Sequence, residues 1–480
     1  MSRRWKALTA LRLLMSLLLA TSLAIVTQTT AQASTSQFRG VNWADQRDNF
    51  VNGVLYPSGL SASDTYSSAA VVADRVVGQL YSLTGANTVR IPINEPTVTS
   101  YWGTYTGAID TALGKGNVIF AYWAHTGGRP QNQGAFERMW DTVIAKYGSH
   151  PNAYFEVINE PHGYSTSDLN NMYNSWLNRY SSVPRGRVVL DGAGLAQNVP
   201  AVGGDSRLNG TLLAVHDYSF FAGFESETQW ADHIASYIGA YASRTIATEW
   251  GGAMGPGTKN GVYFDAVDYS VPSGSYMADY IRGVSSKLRS LGMGGVYWPG
   301  LRDGDWYSLT TRSGSGSGTT LSLTNRSGLQ RLRYSWGLGD AGTEVAGIRN
   351  VGTGWYVDGL GRTTESPAGQ GSGGASPGQR WVVENSGAYV RIKNATTGLY
   401  LDGLGRTANG SDAVQRAGNT ATSQQWTVVT GASRGNDVRI RNRATGLYLD
   451  GMGRASTSAN LGQWSDSNSV NQQWRIVAAG

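Results

Sequence analysis

Two glutamates stand at the ends of two apolar runs. Glu160 lies in the sequence Ile158 to Pro161, at the end of a run that begins at Tyr154, and Glu249 follows the run Arg244 to Ala247. Short apolar runs of this kind are typical of buried strands, so each carboxylate is expected at a strand end. Cleavage of a glycosidic bond requires two carboxylates held across one pocket. The pattern therefore predicts Glu160 and Glu249 as a catalytic pair for this reaction.

Eight strand-like runs alternate with segments of helical spacing. The strand-like runs are Phe38–Trp43, Asn87–Ile93, Asn117–Trp123, Tyr154–Asn159, Arg187–Asp191, Leu212–His216, Thr245–Glu249 and Gly294–Trp298. The clearest helical segments are Ala135–Lys146, Ser167–Tyr180, Thr228–Tyr241 and Tyr276–Leu291. Eight such units in about 300 residues have the size of a (β/α)₈ barrel, an α/β fold whose chemistry lies at the carboxyl ends of the strands. We predict this TIM barrel over residues 34–337, with a doubly wound open sheet as the alternative.

A threefold repeat follows a short Gly-rich linker at residues 338–345. The repeated sequences are Gly354–Arg362, Gly398–Arg406 and Gly446–Arg454, and they are followed by the pairs Gln379/Trp381, Gln424/Trp426 and Gln472/Trp474. A repeat this regular in short strands indicates one structural unit copied around an axis, with each copy burying its Trp. We therefore predict an all-β domain over residues 346–480.

The first 33 residues have the pattern of a secretion signal. Four basic residues precede the apolar segment Leu13–Val26, and Ala31–Ala33 is typical of a cleavage site. No later segment approaches the roughly 20 apolar residues that a spanning helix needs. We expect a secreted, extracellular protein with residues 1–33 removed and without a membrane partner.

The composition argues against several other classes. The formal net charge falls from +6 to +2 when the four basic residues of the signal are removed, and the remaining Lys and Arg are scattered, so we expect no nucleic-acid partner. The chain has no cysteine, which excludes disulfides, and a chain of this length buries enough surface to fold without them. The five histidines do not cluster at ligand spacing, so we expect no metal and no other cofactor. We expect a monomer.

Both halves of the chain resemble known families. The repeats resemble the ricin-type β-trefoil of carbohydrate-binding module family 13. The first half is similar to glycoside hydrolase family 5, the cellulase-like retaining clan. The residues that carry this second resemblance are Asn159-Glu160-Pro161, Thr248-Glu249-Trp250, His216-Asp217-Tyr218, Arg90, His125 and Trp298. The resemblance implies that Glu160 is the acid/base and Glu249 the nucleophile.

The family also implies roles for the other matching residues. Arg90 lowers the pKa of Glu249, because an adjacent positive charge favours the ionised form, and Tyr218 donates a hydrogen bond to the same carboxylate. His216 orients Glu160 or contacts the sugar. The remaining substrate-binding residues are Asn159 at the sugar 2-hydroxyl, and His125 and Trp298 at the floor of the sugar site.

The resemblance of the repeats implies a shallow sugar pocket in each. An Asp accepts hydrogen bonds from two adjacent hydroxyls, and a later Gln and Asn add further contacts. The predicted binding residues are Asp358 in the first repeat, Asp402, Gln415 and Asn419 in the second, and Asp450, Gln463 and Asn468 in the third. The first repeat keeps Gln370 but departs from the family pattern after it.

The leading hypothesis is a secreted, retaining endo-β-glycoside hydrolase that binds and cleaves plant polysaccharide by double displacement. The whole layout resembles enzymes that act on the β-1,6-galactan of arabinogalactan. The alternatives are another β-glycanase of the same clan, acting on cellulose, xylan, mannan or β-1,3-glucan, a transglycosylase, and a non-catalytic lectin.

Overall fold

The computed structural model describes residues 35–47, 51–124, 126–224, 226–339, 345–386, 389–430 and 437–479. The predicted signal at residues 1–33 and the centre of the predicted linker, residues 340–344, lie outside these ranges. Residues 35–480 form one compact unit. Within the described ranges, none of the helices combines the length and the apolar character needed to cross a lipid bilayer.

Eight parallel strands close into a barrel. They are β1 (Arg39–Trp43), β2 (Thr88–Ile93), β3 (Asn117–Tyr122), β4 (Ala153–Glu156), β5 (Val188–Asp191), β6 (Leu212–Tyr218), β7 (Thr245–Gly251) and β8 (Gly294–Leu301). Each strand pairs with the next in sequence, and β8 closes on β1, where Gly40 lies opposite Val296. The predicted barrel and its eight strands are confirmed, and the open-sheet alternative was wrong.

Helices cover the outside of the barrel. The labelled helices are α1 (Tyr66–Thr84), α2 (Trp102–Leu113), α3 (Gln133–Tyr147), α4 (Thr166–Arg179), α5 (Val199–Gly203), α6 (Glu227–Ile238), α7 (Tyr276–Leu291) and α8 (Arg326–Ser335), and two further short helices are Glu95–Ser100 and Ala193–Ala196. Polar side chains begin several of them: Thr65, Asn132 and Ser165 each accept from a backbone amide three residues later, which satisfies a free N–H of the first turn. The four helical segments predicted from the sequence are confirmed.

Apolar side chains fill the barrel near the amino-terminal ends of its strands. The cluster consists of Phe38, Ile119, Val189, Leu212, Ala214, Ile246 and Val296. Since this end of the barrel is packed, open space for a ligand lies at the opposite end, where the strands finish. The fold therefore places any site among the loops that follow the strands.

The second half is the predicted all-β domain. Its longer strands are Val345–Asn350, Trp381–Ser386, Tyr389–Asn394, Trp426–Thr430, Val438–Asn442 and Trp474–Ala478, and its shorter strands are Tyr356–Asp358, Ser366–Pro367, Gly369–Gly371, Tyr400–Asp402, Ser411–Asp412, Val414–Arg416, Tyr448–Asp450 and Gly462–Trp464. Trp381, Trp426 and Trp474 are fully buried, and each indole N–H donates to a carbonyl of its own repeat. The prediction that each repeat buries its Trp is confirmed.

The segment between β7 and α7 contacts this all-β domain. Val271 is fully buried in the same apolar cluster as the three repeat tryptophans. Gly274 passes so close to Val428 that an added Cβ would lie 2.1 Å from the valine Cγ1. Asp265 forms an ion pair with Arg475 at 3.0 Å. The barrel therefore contributes a side chain to the core of the second domain.

Candidate active site

Arg90, on β2, lies at the centre of a buried polar cluster at the carboxyl ends of the strands. One terminal nitrogen, Nη1, donates to Glu249 Oε1 at 2.6 Å and to Asn42 Oδ1 at 2.8 Å. The Nε atom donates to Glu156 Oε2 at 2.7 Å, Nη2 donates to the other oxygen of the same carboxylate, and Nη2 also reaches Asn159 Oδ1 at 2.5 Å. A guanidinium held by this many acceptors has one orientation, so it fixes the direction of Glu249.

Glu249 lies in β7, two residues before the strand ends at Gly251 and not at its end as the sequence predicts. Its Oε2 accepts from the Tyr218 hydroxyl at 2.6 Å, while its Oε1 faces Arg90. Burial alone raises the pKa of Glu249, but the charges of His216 and Arg90 and the hydrogen bonds from Tyr218 and Arg90 outweigh it, and the net pKa lies below its usual value. Glu249 is therefore an ionised carboxylate.

Glu160 lies in the loop after β4 and not on the strand. The strand ends at Glu156, three residues before the predicted end at Asn159, although the Asn159 N–H still donates to the Tyr122 carbonyl at 2.9 Å. The backbone of Glu160 is left-handed, with φ 49°, and its N–H donates to Asp191 Oδ2 at 2.9 Å. Such a conformation costs free energy and persists where neighbours hold it.

The pKa of Glu160 shifts in the opposite direction from that of Glu249. Burial raises it, the hydrogen bond from His216 lowers it, and the negative charge of Glu249 raises it again, so the net pKa lies above its usual value. One carboxyl group in the site thus holds its proton more tightly than the other, which is the division of labour between an acid and a nucleophile.

His216 connects the two glutamates. Its Nδ1 lies 3.1 Å from Glu160 Oε1 and 3.7 Å from Glu249 Oε2, and its Nε2 lies 2.9 Å from Thr248 Oγ1. Burial lowers the pKa of His216, but the charge of Glu249, the hydrogen bond to Glu160 and the charge of Asp191 raise it to about 9. The imidazolium donates from both ring nitrogens.

The two catalytic candidates face one space. A carboxylate oxygen of Glu160, one of Glu249 and a nitrogen of His216 all lie within 4.8 Å of one another. Oxygen and nitrogen atoms this close could also bind a metal ion, as could those of Glu156, Asp191 and His216. A protonated His216 is a donor and not a ligand, and Glu156 is already paired with Arg90. The donor set therefore favours a hydrogen-bond network, and the absence of a metal stays a prediction.

The structure brings six of the eight barrel residues predicted from the sequence into one cluster: Arg90, Asn159, Glu160, His216, Tyr218 and Glu249. Trp298, within β8, is almost fully buried and packs against Trp123 with ring centroids 5.8 Å apart. His125 lies outside the described residues. The sugar contacts of Asn159 and Trp298 stay predictions.

Sequence reasoning missed two carboxyl groups of this cluster. Glu156 is fully buried and paired with Arg90, and Asp191 is fully buried beneath the backbone of Glu160. Burial, followed by the charge of Glu156, raises the pKa of Asp191 well above its usual value. A signal was present, because Asp191 ends a predicted strand just as Glu249 does.

In the second domain, three predicted aspartates have the same local role. Oδ1 of Asp358, of Asp402 and of Asp450 accepts at 2.6 Å from the backbone amide two residues later. Those later residues, Leu360, Leu404 and Met452, all have positive φ. Each aspartate therefore stabilises a turn that a residue with a side chain rarely adopts.

Three of the predicted sugar-binding residues in this domain are fully buried, and their sugar contacts stay predictions. Gln415 and Gln463 have no exposed surface, and their amides donate to the Gly359 and Gly403 carbonyls of the preceding repeats, so they join neighbouring repeats. Asp402 is also fully buried. The other four predicted positions keep some exposed surface: Asp358 and Asp450 keep a small fraction, and Asn419 and Asn468 are exposed.

Two family models match the chain. Residues 57–282 match the cellulase family, glycosyl hydrolase family 5, and residues 333–416 and 422–480 match the ricin-type beta-trefoil lectin domain-like family. None of the curated proteins compared with the chain matches its sequence.

Several solved structures resemble parts of the chain. XacCel5A in complex with cellopentaose is 13% identical over 54% of this chain and 90% of that chain, with a TM-score of 0.41. The designed three-fold symmetric protein ThreeFoil is 25% identical over 28% of this chain and 99% of that chain, with a TM-score of 0.27. A ricin B-like lectin from Macrolepiota procera, in complex with lactose, is 22% identical over 28% and 94%, with a TM-score of 0.26.

Each of these structures covers one part of the chain, so the identification depends on the two family models. The chain joins a cellulase-like glycosyl hydrolase family 5 domain, which implies glycoside hydrolase activity, to a carbohydrate-binding ricin-type β-trefoil lectin domain.

Proposed function

We propose that the protein is a retaining β-glycoside hydrolase in which Glu249 is the nucleophile and Glu160 the acid/base. The observation that carries this proposal is the pair of facing carboxyl groups, with oxygens within 4.8 Å of one another and pKa values shifted in opposite directions. Carboxyl groups about 5 to 5.5 Å apart are typical of retaining enzymes, whereas inverting enzymes hold them about 6.5 to 9.5 Å apart to admit a water.

In the first step, Glu249 attacks the anomeric carbon while Glu160 gives its proton to the departing glycosidic oxygen. Arg90 and Tyr218 hold the two oxygens of Glu249, so the nucleophile has little freedom to lose when it reacts. The products of this step are a glycosyl ester on Glu249 and a free alcohol. The glycosidic C–O bond breaks, the ester C–O bond to Glu249 forms, and the proton of Glu160 moves to the departing oxygen, so the step balances.

In the second step, Glu160 acts as a base. The negative charge of Glu249 is one of the causes that raise the pKa of Glu160, and that charge is absent while Glu249 is esterified. The pKa of Glu160 therefore falls after the first step, and its carboxylate can take a proton from an incoming water. The water oxygen then displaces Glu249, and a second inversion at the anomeric carbon restores the original configuration.

Glu249→Gln and Glu160→Gln test this assignment. We expect Glu249→Gln to lower kcat on the order of 10³-fold or more on every substrate. Glu160→Gln should lose far less activity on an aryl glycoside with an acidic leaving group, which needs no proton, than on a polysaccharide. Proton NMR of the first-formed sugar should show the anomer of the substrate. Thermal unfolding of both variants controls for folding.

Inversion at the anomeric carbon would contradict the proposal. So would a Glu249→Gln variant that keeps more than about a tenth of wild-type activity, because a nucleophile cannot be dispensable.

The finer proposal is endo cleavage of the β-1,6-galactan of arabinogalactan by a secreted, monomeric enzyme. Its support is the resemblance of the layout, a catalytic barrel followed by a lectin-type trefoil, together with the signal pattern of residues 1–33. Release of reducing sugar from a panel of de-arabinosylated arabinogalactan, xylan, mannan, β-1,3-glucan and carboxymethylcellulose tests the substrate. Activity on carboxymethylcellulose with none on the arabinogalactan would contradict the proposed galactan specificity.

A further inference from the structure

A separate cavity opens at the carboxyl ends of β2 and β3. Its volume, with its open mouth, is about 550 Å³, and its lining includes Asn52, Glu95, Tyr122, Trp123, Gln131 and Asn132. These residues come from the segments that end or follow β1, β2 and β3. Because such segments lie at the carboxyl ends of the strands, the cavity opens on the same face of the barrel as Glu160 and Glu249.

The cavity lies beside Trp298, which the family resemblance places at the floor of the sugar site. Trp123 lines the cavity and packs against Trp298 with ring centroids 5.8 Å apart. Arg90, which holds the nucleophile, lies on the same strand that leads to Glu95. A glycan bound across the two glutamates can therefore extend along this face into the cavity.

The lining suits a neutral sugar. Its floor is aromatic and buried, and its rim carries exposed amide side chains from Asn52, Gln131 and Asn132. Glu95 is half-buried and accepts from the Tyr122 hydroxyl at 2.7 Å, which orients the carboxylate. No Lys or Arg is found among the described lining residues, so nothing there compensates the charge of a uronic acid.

The walls are held in place without a ligand. The amide of Asn94 donates to the Val51 and Gly53 carbonyls at 3.3 and 2.8 Å, and its Oδ1 accepts from the Thr97 amide at 3.0 Å. These bonds tie the segment after β1 to the segment after β2. A preformed pocket of this size with a few convergent polar groups is typical of a small-molecule site.

We propose that this cavity is a sugar subsite remote from the bond that is cleaved, and that it takes one neutral hexose unit of the glycan, with Glu95 accepting hydrogen bonds from its hydroxyls. The proposal deepens, and rests on, the proposed glycoside hydrolase function. The hexose can come from the main chain or from a branch, since both offer the same hydroxyls.

Two variants test the subsite. Glu95→Ala removes the acceptor, and Ala135→Phe fills the cavity from the first turn of α3 without removing a polar group. We expect kcat/KM on long oligosaccharides to fall about 10- to 100-fold, the range for losing hydrogen bonds to a charged group. Activity on an aryl monoglycoside, which fills only the cleavage site, should stay within twofold of the wild type.

Glu137→Ala is the matched control. It removes a glutamate from α3, the helix that carries Ala135. The carboxylate of Glu137 lies 3.3 Å from Arg179 and does not line the cavity. We expect wild-type kcat/KM on all substrates. Linear and branched oligosaccharides form the two arms of the assay: a loss on the linear arm supports a main-chain unit, and a loss on the branched arm alone supports a branch.

Unchanged kcat/KM for Glu95→Ala and Ala135→Phe on both arms would overturn the subsite while leaving the proposed function intact. An equal loss on the aryl monoglycoside would also overturn it, because the effect would then arise at the cleavage site. If the wild type releases no sugar from any substrate, the proposed function fails, and calorimetric binding of the same oligosaccharides to wild type and Ala135→Phe decides the subsite. Equal affinities would then reject it.

Discussion

Two cations and four carboxyl groups share the buried space at the centre of the barrel face. The cations are Arg90 and His216, and the carboxyl groups belong to Glu156, Glu160, Asp191 and Glu249. Four negative charges would be costly here, because buried charge must be paired. The pKa values of Glu160 and Asp191 are raised, so these two groups hold their protons to a higher pH than ordinary carboxyl groups do. When both are protonated, the two cations balance the two remaining carboxylates, and one of the two retained protons lies on Glu160, the proposed acid.

This arrangement predicts how stability depends on pH. The pKa of His216 is about 9 in the folded protein and about 6.5 in a free histidine, so its charge stabilises the fold fully below pH 6.5, and the gain is lost as pH rises through 9. The gain is about 3 kcal/mol. We expect the difference in Tm between wild type and His216→Gln to be largest near pH 6 and to shrink between pH 6.5 and 9.

The measurement is thermal unfolding at a series of pH values. His150→Gln controls for the removal of a histidine as such, because this half-exposed residue lies outside the carboxyl cluster. A difference between wild type and His216→Gln that stays constant, or grows, from pH 6.5 to 9 would contradict the charge assignment.

At this scale the sequence identifies the two glutamates that are proposed to act and misses the carboxyl groups that support them. Glu160 stands in a family motif in the loop after β4, and Glu249 stands in another near the end of β7. Glu156 and Asp191 act through burial and through contact with Arg90 and Glu160, and those contacts join residues far apart in the chain. Such long-range contacts produce no local sequence pattern, so the sequence does not distinguish a buried supporting carboxyl group from any other Asp or Glu.

Helices α1 and α2 are in close contact at Gly107. A Cβ built there would lie 2.1 Å from the Tyr66 carbonyl oxygen, which is a backbone atom and cannot swing aside. We expect Gly107→Ala to force the helices apart and to lower the free energy of unfolding by about 1 to 3 kcal/mol. Chemical denaturation of the full chain measures this loss.

Gly103→Ala on the same helix is the matched control, because nothing lies within 4 Å of its added Cβ. Alanine is the better helix former, so we expect a gain of up to about 1 kcal/mol. A Gly107→Ala protein as stable as Gly103→Ala would show that the helices can separate without loss.

Among the secondary-structure elements, the spacing of apolar residues predicts the regular strands and the long helices. The eight strands and the long helices follow their apolar spacing, but the crossover from β5 to β6 carries only short helices, Ala193–Ala196 and α5. This segment is interrupted by Gly194, Pro200 and Gly203, which disfavour a long helix. The end of β4 was misplaced because the apolar residues Val157 and Ile158 continue past the strand into the loop that carries Glu160.

Across the whole molecule, the trefoil is attached by more than its linker. Val271, between β7 and α7, belongs to the trefoil core cluster, and Asp265 pairs with Arg475. The domain limits predicted from the sequence, 34–337 and 346–480, therefore cut through a shared core. Sequence repeats identified the trefoil, but they gave no sign of this contact, because Val271 lies in an irregular loop outside any repeat.

Val271→Asp tests this attachment. A carboxylate placed without a partner in the apolar cluster that contains the three repeat tryptophans should cost about 3 kcal/mol or more. The chain avoids this cost by releasing the loop from the trefoil. We expect small-angle scattering to show a larger radius of gyration and limited proteolysis to cut near residue 271. Val262→Asp, on the exposed hairpin of the same segment, is the control and should leave both unchanged.

Turnover of a soluble substrate should persist in Val271→Asp, whereas turnover of an insoluble polysaccharide should fall, because a loosely held binding domain gives a lower effective concentration at the barrel. Scattering curves that coincide for the two variants would show that the linker alone sets the arrangement.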